Sequence, residues 1–271
     1  MLDTLWSGAG GPAHPELMQR NAYISMIETA QNVADRYGLT REEIDAFALR
    51  SHHHAAQARG TGRLAKEVVP VAIPAGRRSA ERLFEHDETI RDDTTLDSLA
   101  KLPAQPGTTQ MTAGNSTSLS DGSSAVVIAS GDTVAGLGVA PLAKIVGSAV
   151  HALEPGLMGI APAWAMTKVL KAAGIAPDEI GVWEVHEAFA AQALGVLREL
   201  STQFEGFEVP DDRLNLNGGA VAVGHPFGAS GTRYLLTLAI SMREQNARYG
   251  VLGVCAGSGQ GVAVLLENDQ A

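Results

Sequence analysis

The sequence predicts an α/β layered fold, and two observations support this prediction. Beyond Gly138, short apolar segments typical of strands alternate with amphipathic segments typical of helices, which is the pattern of strands and helices stacked in layers. The chain has 271 residues, of which 45% are hydrophobic and 18% are charged, so it can bury a substantial core in one or two domains. The part before Gly138 is helical and then irregular, which predicts a loop domain.

The N-terminal part is predicted to contain two helices with defined ends. Residues 1 to about 22 hold several glycines and prolines, so no long regular element is expected there. A helix is predicted over residues 24–37, because Gly38 can adopt the left-handed conformation that ends helices. Residues 40–43 have the spacing of a capping box, which predicts a second helix up to Arg59.

Three consecutive histidines, His52, His53 and His54, lie in the second predicted helix. Consecutive helix positions point in different directions, so the three rings cannot converge on one metal ion. We therefore expect a solvated or partly packed helix face at this point and no metal site.

The next region is predicted to be mostly irregular. Residues 68–71 look extended, and residues 74–107 are charged and interrupted by prolines, as loops are. The charged run 85–93 fits a solvated face better than a binding site. Residues 122–129 are predicted to form a buried strand, because they are small and β-branched and follow the loop 112–122.

The C-terminal part carries the alternating pattern. Strands are predicted at 143–149 and 182–185, and helices at 161–173, 188–200 and 229–245. A hairpin follows at the C-terminus, because two apolar runs flank a glycine-rich turn.

A histidine inside a glycine-rich turn is the first candidate functional residue. His225 lies within residues 217–233, where the glycines lead directly into the last predicted helix. Free backbone N–H groups and the positive end of the helix dipole favour negative charge at such a place. The alternatives are a tight packing turn and a phosphate cradle; the cradle is disfavoured because no Lys-Ser/Thr pair follows the last glycine.

Cys255 is the second candidate, and it lies 30 residues beyond His225 at the tip of the predicted hairpin. It is the only cysteine in the chain, which excludes a disulfide within the polypeptide and a cysteine-only metal site. A lone cysteine is commonly a small buried hydrophobe. Here, however, Gly257 and Gly259 allow a ligand to approach the backbone closely, so an acid–base role for the thiol is credible.

At these two motifs the chain resembles the thiolase family, acyltransferases that make or cleave a carbon–carbon bond beside a CoA thioester. Further matches occur in the family's order at residues 112–122, at Met158-Gly159 and at residues 186–190, so the resemblance covers essentially the whole chain. It implies the C-terminal half of the layered thiolase fold, with a mixed sheet and helices on both faces, preceded by the loop domain.

The resemblance also implies catalytic roles. Cys255 corresponds to the acid/base at the α-carbon, and His225 to the residue that activates the acyl-accepting cysteine and donates to the enolate oxygen. The Gly257 N–H corresponds to a donor for the tetrahedral intermediate. His186, predicted to follow a strand and begin a helix, is expected to support catalysis as an electrophile, although a purely local structural role is the alternative. Glu187 is expected to be structural.

Coenzyme A contacts follow from the same resemblance. Thr117 and Ser118 occupy positions that contact pantetheine, Met158 lines the pantetheine tunnel, and Phe189 and Gly257 complete the predicted substrate site. No cofactor is expected, because the CoA thioester is itself a substrate. The family's loop histidine associated with short acyl groups is replaced in the stretch 24–27, so acetoacetyl specificity is doubtful.

The resemblance further implies that this chain is incomplete. Residues 1–107 are expected to be the loop domain with a remnant of the N-terminal region, residues 108–138 to belong to the N-terminal half, and residues 139–271 to be the C-terminal domain. The N-terminal half with the acylated cysteine is expected to be missing. The chain would then act only with a partner supplying that half, or as a homo-oligomer. The main alternative is a module that binds CoA or a protein without turnover; a cysteine hydrolase is a distant third hypothesis.

Charge and hydropathy limit the other partners. The formal net charge of −10 and the pI of about 5.2 disfavour nucleic-acid and anionic-membrane surfaces. No secretory leader and no apolar run of spanning length is evident, so no membrane partner and a cytoplasmic location are expected.

Overall fold

The computed structural model describes residues 14–76 and 80–270. The turn-rich segment predicted for residues 1 to about 22 therefore lies largely outside the described ranges. Of this segment, the structure describes one short helix, α1 (Pro15–Gln19).

Two capped helices follow, as predicted. Helix α2 (Met26–Tyr37) ends at Gly38, which adopts the left-handed conformation with φ of 60°, and α3 spans Arg41–Gly60. Both helices begin with a complete capping box, in which the side chains of the N-cap residue and of a glutamate three residues later each bind the other's backbone N–H. Local capping chemistry therefore fixed these ends.

The three adjacent histidines of α3 separate, as expected for consecutive helix positions. His52 is buried with its Nδ1 accepting a bond from the backbone N–H of Arg91, whereas His53 is exposed. The His54 ring instead contacts the Asn215 carbonyl. The face is thus partly packed rather than solvated.

The following region contains short elements, namely β1 (Val71–Ile73), β2 (Arg82–Phe84), α4 (Leu96–Ala100) and α5 (Gly131–Leu137). Strands β1 and β2 pair antiparallel, so the extended segment lies slightly later than the predicted residues 68–71. The buried strand predicted at 122–129 is wrong. Those residues form no regular element, and Val127 is 97% exposed, because no described strand pairs with them.

The central sheet has four strands, β3 (Lys144–Ala152), β4 (Ile180–Val185), β5 (Tyr249–Ala256) and β6 (Gln260–Glu267). Their order is β3-β6-β5-β4. The pair β4–β5 is parallel, whereas β5–β6 and β3–β6 are antiparallel, so the sheet is mixed. Because β4 and β5 are parallel neighbours, their C-terminal ends lie side by side.

Helices cover both faces of this sheet. They are α6 (Ala161–Ala173) and α9 (Ser230–Glu244). Two other helices, α7 (Ala190–Gln203) and α8 (Ala220–Val223), pack mainly against helices. A Cβ at Gly250 would meet Met242 of α9, and one at Gly253 would meet Met166 of α6. Since these two positions of β5 point to opposite faces, α6 and α9 lie on opposite sides. The predicted layered α/β fold with a mixed sheet is therefore confirmed.

An apolar surface is exposed within the described part of the chain. It runs along the segment 119–150 and includes Val127, Ile128, Leu137 and the β3 residue Val150, each more than half exposed. Patches of this kind mark interaction surfaces. No helix in residues 14–76 and 80–270 is long and apolar enough to cross a membrane.

Candidate active site

His225 projects from a glycine-rich turn between two helices. Helix α8 ends at Val223, Gly224 follows with φ of 83°, and α9 begins five residues beyond His225 at Ser230. A Cβ at Gly224 would lie 2.1 Å from the Ser120 hydroxyl, so only glycine fits this close approach. The turn therefore places His225 just before the helix, as the sequence predicts.

Two neighbours fix the His225 ring. Its Nδ1 lies 2.7 Å from the Ser230 hydroxyl oxygen, and its ring centroid is 5.0 Å from that of Phe227. The backbone N–H of His225 donates to the Ser118 carbonyl at 3.1 Å, which holds the 112–122 loop against the turn. The ring is half-buried, so one edge remains accessible.

Cys255 lies on β5, next to the hairpin turn. It is 8% exposed, and its Sγ lies 3.9 Å from Nδ1 of His186. The turn that follows includes Ser258, with φ of 67°, and Gly259, with φ of 90°. The predicted hairpin is confirmed, with Cys255 close to its tip.

His186 is placed differently from its prediction. It directly follows β4, but α7 begins only at Ala190 with Phe189 as its N-cap, so His186 does not begin a helix. Between them the chain bends at Ala188, whose N–H donates to the Gln192 side chain at 3.0 Å. Strand β4 is parallel to β5, and this arrangement brings the end of β4 beside Cys255.

The His186 ring bridges the other two candidates. Its Nδ1 contacts the Cys255 thiol, and its Nε2 lies 3.2 Å from Nδ1 of His225. His186 is 1% exposed. The structure thus brings together all three predicted catalytic residues in one row of contacts.

Burial controls the charge of this row. Desolvation lowers the pKa of His186 to about 3, with a further contribution from the neighbouring His225, and it also lowers the pKa of His225. Burial raises the pKa of the Cys255 thiol to about 12. At neutral pH the row therefore consists of a thiol and two neutral imidazoles, because the low-polarity surroundings disfavour every charged form.

Two residues of the site were not singled out from the sequence. Ser230 is buried and donates to the Pro226 carbonyl while contacting His225. The Tyr234 ring packs edge-on against His186 at 5.6 Å between centroids. The sequence did hold a signal for both residues. Ser230 and Tyr234 are four positions apart in the helix that follows His225, so they lie on the same face of α9.

Glu187 has the structural surroundings expected of it. Its buried carboxylate accepts bonds from the Ser51 hydroxyl at 2.5 Å and from the Asn215 amide at 2.7 Å. Burial raises the pKa of Glu187, although these two hydrogen bonds act in the opposite direction. The residue ties α3 and the 214–218 loop to the segment that carries His186.

The predicted CoA-binding residues lie around this row. Thr117 donates from its hydroxyl to the Ala220 carbonyl at 2.6 Å and from its backbone to the Ala188 carbonyl. The adjacent Ser118 is the residue whose carbonyl binds His225. This loop therefore joins the segments that carry His186 and His225.

The other predicted substrate-binding residues are Met158, Phe189 and Gly257. Met158 and Phe189 belong to the same buried cluster as Cys255, and Gly257 is half-buried in the hairpin turn. Within residues 14–76 and 80–270, no group of three or more His, Cys, Asp or Glu side chains could hold a metal ion.

Family comparisons decide which class of protein this is. Residues 139–268 match the family model of the thiolase C-terminal domain, and residues 12–132 match that of the thiolase N-terminal domain. The chain belongs to the thiolase family. The predicted absence of the N-terminal half is therefore not supported, because most of the region interpreted as a loop domain matches the N-terminal thiolase domain.

Curated thiolases resemble this chain over most of its length. A 3-oxoadipyl-CoA/3-oxo-5,6-dehydrosuberyl-CoA thiolase of Escherichia coli K12 is 42% identical over 257 residues, which are 94% of this chain and 62% of that protein. An acetyl-CoA acetyltransferase of Chromobacterium violaceum is 44% identical over 91% of this chain and 61% of its own length. The chain thus spans less than two thirds of these relatives.

Solved thiolase structures have the same fold. Human mitochondrial 3-ketoacyl-CoA thiolase superposes with a TM-score of 0.85 at 36% identity, covering 92% of this chain and 61% of that one. Bacillus anthracis acetyl-CoA acetyltransferase gives a TM-score of 0.84 at 37% identity, covering 90% and 60%. The thiolase fold inferred from the motifs is confirmed.

Proposed function

We propose that this protein takes part in thiolase-type acyl transfer, either the thiolytic cleavage of a 3-oxoacyl-CoA or the condensation of acetyl-CoA. The observation that carries this proposal is the row of contacts Cys255–His186–His225 beside two glycine-rich turns. It supports the proposal because the reaction needs a proton donor and acceptor at the α-carbon and hydrogen-bond donors at the oxygen.

The two ends of this row, Cys255 and His225, have proposed tasks. Cys255 exchanges the proton of the α-carbon, and His225 faces the cleft with the accessible edge of its ring, where it donates to the enolate oxygen and activates the acyl acceptor. The backbone N–H of Gly257 assists the tetrahedral intermediate. A thiol and neutral imidazoles are suited to this work, since they can give or take a proton without first being neutralised.

The acyl acceptor is proposed to lie outside these 271 residues. Because Cys255 is the only cysteine present and is assigned to proton transfer, a second cysteine must come from elsewhere. A segment beyond these 271 residues, on the same polypeptide or on a partner, would provide it. The exposed apolar surface along 119–150 is the proposed contact.

Coenzyme A is the proposed small-molecule partner, held by Thr117, Ser118, Met158 and Phe189 together with Gly257. No cofactor or metal is required by this chemistry. The proposed location is the cytoplasm, and the acidic charge balance disfavours nucleic-acid and anionic-membrane partners. The relatives' names span short and dicarboxylic acyl groups, so the proposed substrate class is the 3-oxoacyl-CoA thioesters in general.

Acetoacetyl-CoA thiolysis tests this proposal. The assay compares the chain alone with the chain co-expressed with a segment carrying the acyl-accepting cysteine, taken from the part of a relative that this chain does not match. We expect CoA binding in both preparations and turnover only in the second.

Cys255→Ser is the matched control, because it keeps the size of the side chain but replaces the thiol. Turnover that survives this change would overturn the assigned role of Cys255. Binding of CoA without turnover in every preparation would instead favour the non-catalytic CoA-binding module.

A further inference from the structure

Three buried polar groups on β4, α3 and α9 have no hydrogen-bond partner among residues 14–76 and 80–270. They are Oε1 of Glu184, the hydroxyl of Tyr234 and Nη1 of Arg50. Folded proteins rarely leave such groups unpaired, because each has given up its hydrogen bonds to solvent. Ordered water is a common partner where no protein group reaches.

Glu184 and Tyr234 belong to the same side of the sheet. Side chains alternate along a strand, so Glu184 points to the same face as Val182 and His186. Val182 belongs to the same buried apolar cluster as Tyr234, and the His186 ring lies 5.6 Å from the Tyr234 ring between centroids. The carboxyl of Glu184 therefore points to the face of β4 on which α9 places the tyrosine.

Arg50 approaches the same interior from α3. Burial raises the pKa of Glu184, of Glu187 and of Tyr234; Arg50 lowers the pKa of the two carboxyls, and these carboxyls raise the pKa of Tyr234 further. Charges that act on one another in this way lie close together. Nη2 of Arg50 donates to two backbone carbonyls within residues 211–214, so the guanidinium is held in place while Nη1 keeps its hydrogens unpaired.

We propose that Glu184, Tyr234 and Arg50 bind ordered water at a buried hydration site between β4, α3 and α9. The three groups complement water, since Nη1 donates, Oε1 of a carboxylate accepts and a phenol does either. A water molecule with two to four such partners is stable in a protein interior. The site also explains how α9 can bury a tyrosine whose hydroxyl no protein group binds. Nothing in this inference depends on the proposed acyl transfer.

Tyr234→Phe gives the first test, because it removes only the hydroxyl. A hydroxyl bound to buried water stabilises the fold, so we expect the variant to lower the urea midpoint of the whole chain by roughly 0.3–0.5 M. An unpaired hydroxyl has the opposite effect, since its removal abolishes a desolvation cost. A midpoint that rises or stays unchanged would therefore overturn the hydration site.

Tyr37→Phe is the matched control. The hydroxyl of Tyr37 donates directly to Glu199 at 2.5 Å, so its removal must lower the midpoint and calibrates the loss of one bonded phenol. A double-variant cycle then joins Tyr234→Phe with Glu184→Met, which removes the carboxyl acceptor. Groups that share bound water lose it together, so we expect the double variant to be less destabilised than the sum of the single variants. Additive losses would contradict the shared site.

A high-resolution crystal structure of the whole chain separates bound water from a direct contact. We expect a water oxygen within about 2.7–3.2 Å of the Tyr234 hydroxyl and of at least one of the other two groups. A direct hydrogen bond from the Tyr234 hydroxyl to Glu184, or a dry contact, would overturn the proposal even if Tyr234→Phe is destabilised. None of these measurements uses turnover, so their failure is separate from failure of the proposed function.

Discussion

Glu184 gives the sharpest prediction about pH and stability. This β4 residue is 1% exposed, and its Oε1 has no hydrogen-bond partner among the described residues. Desolvation raises the pKa of Glu184 well above its usual range, and the nearby carboxylates of Glu67 and Glu187 raise it further. We therefore expect the carboxyl to be protonated in the folded protein at neutral pH and ionised in the unfolded chain.

The sign and size of the effect follow from this difference in pKa. Above the unfolded pKa the native state binds the extra proton, so the stability contributed at Glu184 is fully present at low pH and falls as pH rises towards the folded pKa. Where the folded protein keeps this proton and the unfolded chain has released it, the slope is about 1.4 kcal/mol per pH unit at most. The variant Glu184→Gln has no carboxyl at this position, so its stability does not show this fall with rising pH.

The comparison with Glu184→Gln isolates the carboxyl from the histidines. The buried His52 and His186 have lowered pKa values, so their contribution to stability is lost as pH falls and opposes that of Glu184. This contribution is common to both proteins and cancels in the difference between them.

The assay is urea unfolding followed by tryptophan fluorescence, to which the fully buried Trp183 contributes. We expect the free energy of unfolding of Glu184→Gln to rise relative to wild type as pH increases from about 5 to about 7. A difference that stays constant over this range would show that Glu184 titrates alike in both states, and the reasoning would be refuted.

Three further changes have expected outcomes in the same unfolding assay. Gly219→Ala places a Cβ within 2.2 Å of the Glu187 carboxyl carbon, so it should lower the free energy of unfolding by about 1–3 kcal/mol. The control is Gly136→Ala, in a helix with open space around it, which should raise that free energy by about 0.5–1 kcal/mol. Ser258→Gly should stabilise by about 1 kcal/mol, because Ser258 holds φ of 67° in the left-handed region; an unchanged value would mean that the turn has no strain. Arg63→Ala should cost about 3–5 kcal/mol, since the side chain is buried and binds two carboxylates, and a loss below about 1 kcal/mol would place those charges effectively in solvent.

The comparison of sequence and structure separates local from distant information. The C-terminal end of α2 and the start of α3 were predictable because a left-handed glycine and a capping box act within four residues of a helix end. The β5–β6 hairpin was predictable for the same reason, since two apolar runs and a glycine turn are contiguous. The failed strand at 122–129 had the right residue types, but a strand also needs a partner, and no described strand supplies one.

By itself, the sequence determined the α/β class, the helix caps, the family motifs and the identity of His225, Cys255 and His186 as candidates. Only the tertiary structure decided that His186 contacts both of the others, because this depends on the parallel pairing of β4 with β5 across more than sixty intervening residues. It also decided that Ser230 and Tyr234 flank the two imidazoles. The physical reason is that capping and periodicity are set by neighbours in the chain, whereas burial, pKa and ring contacts are set by segments that meet only after the layers have packed.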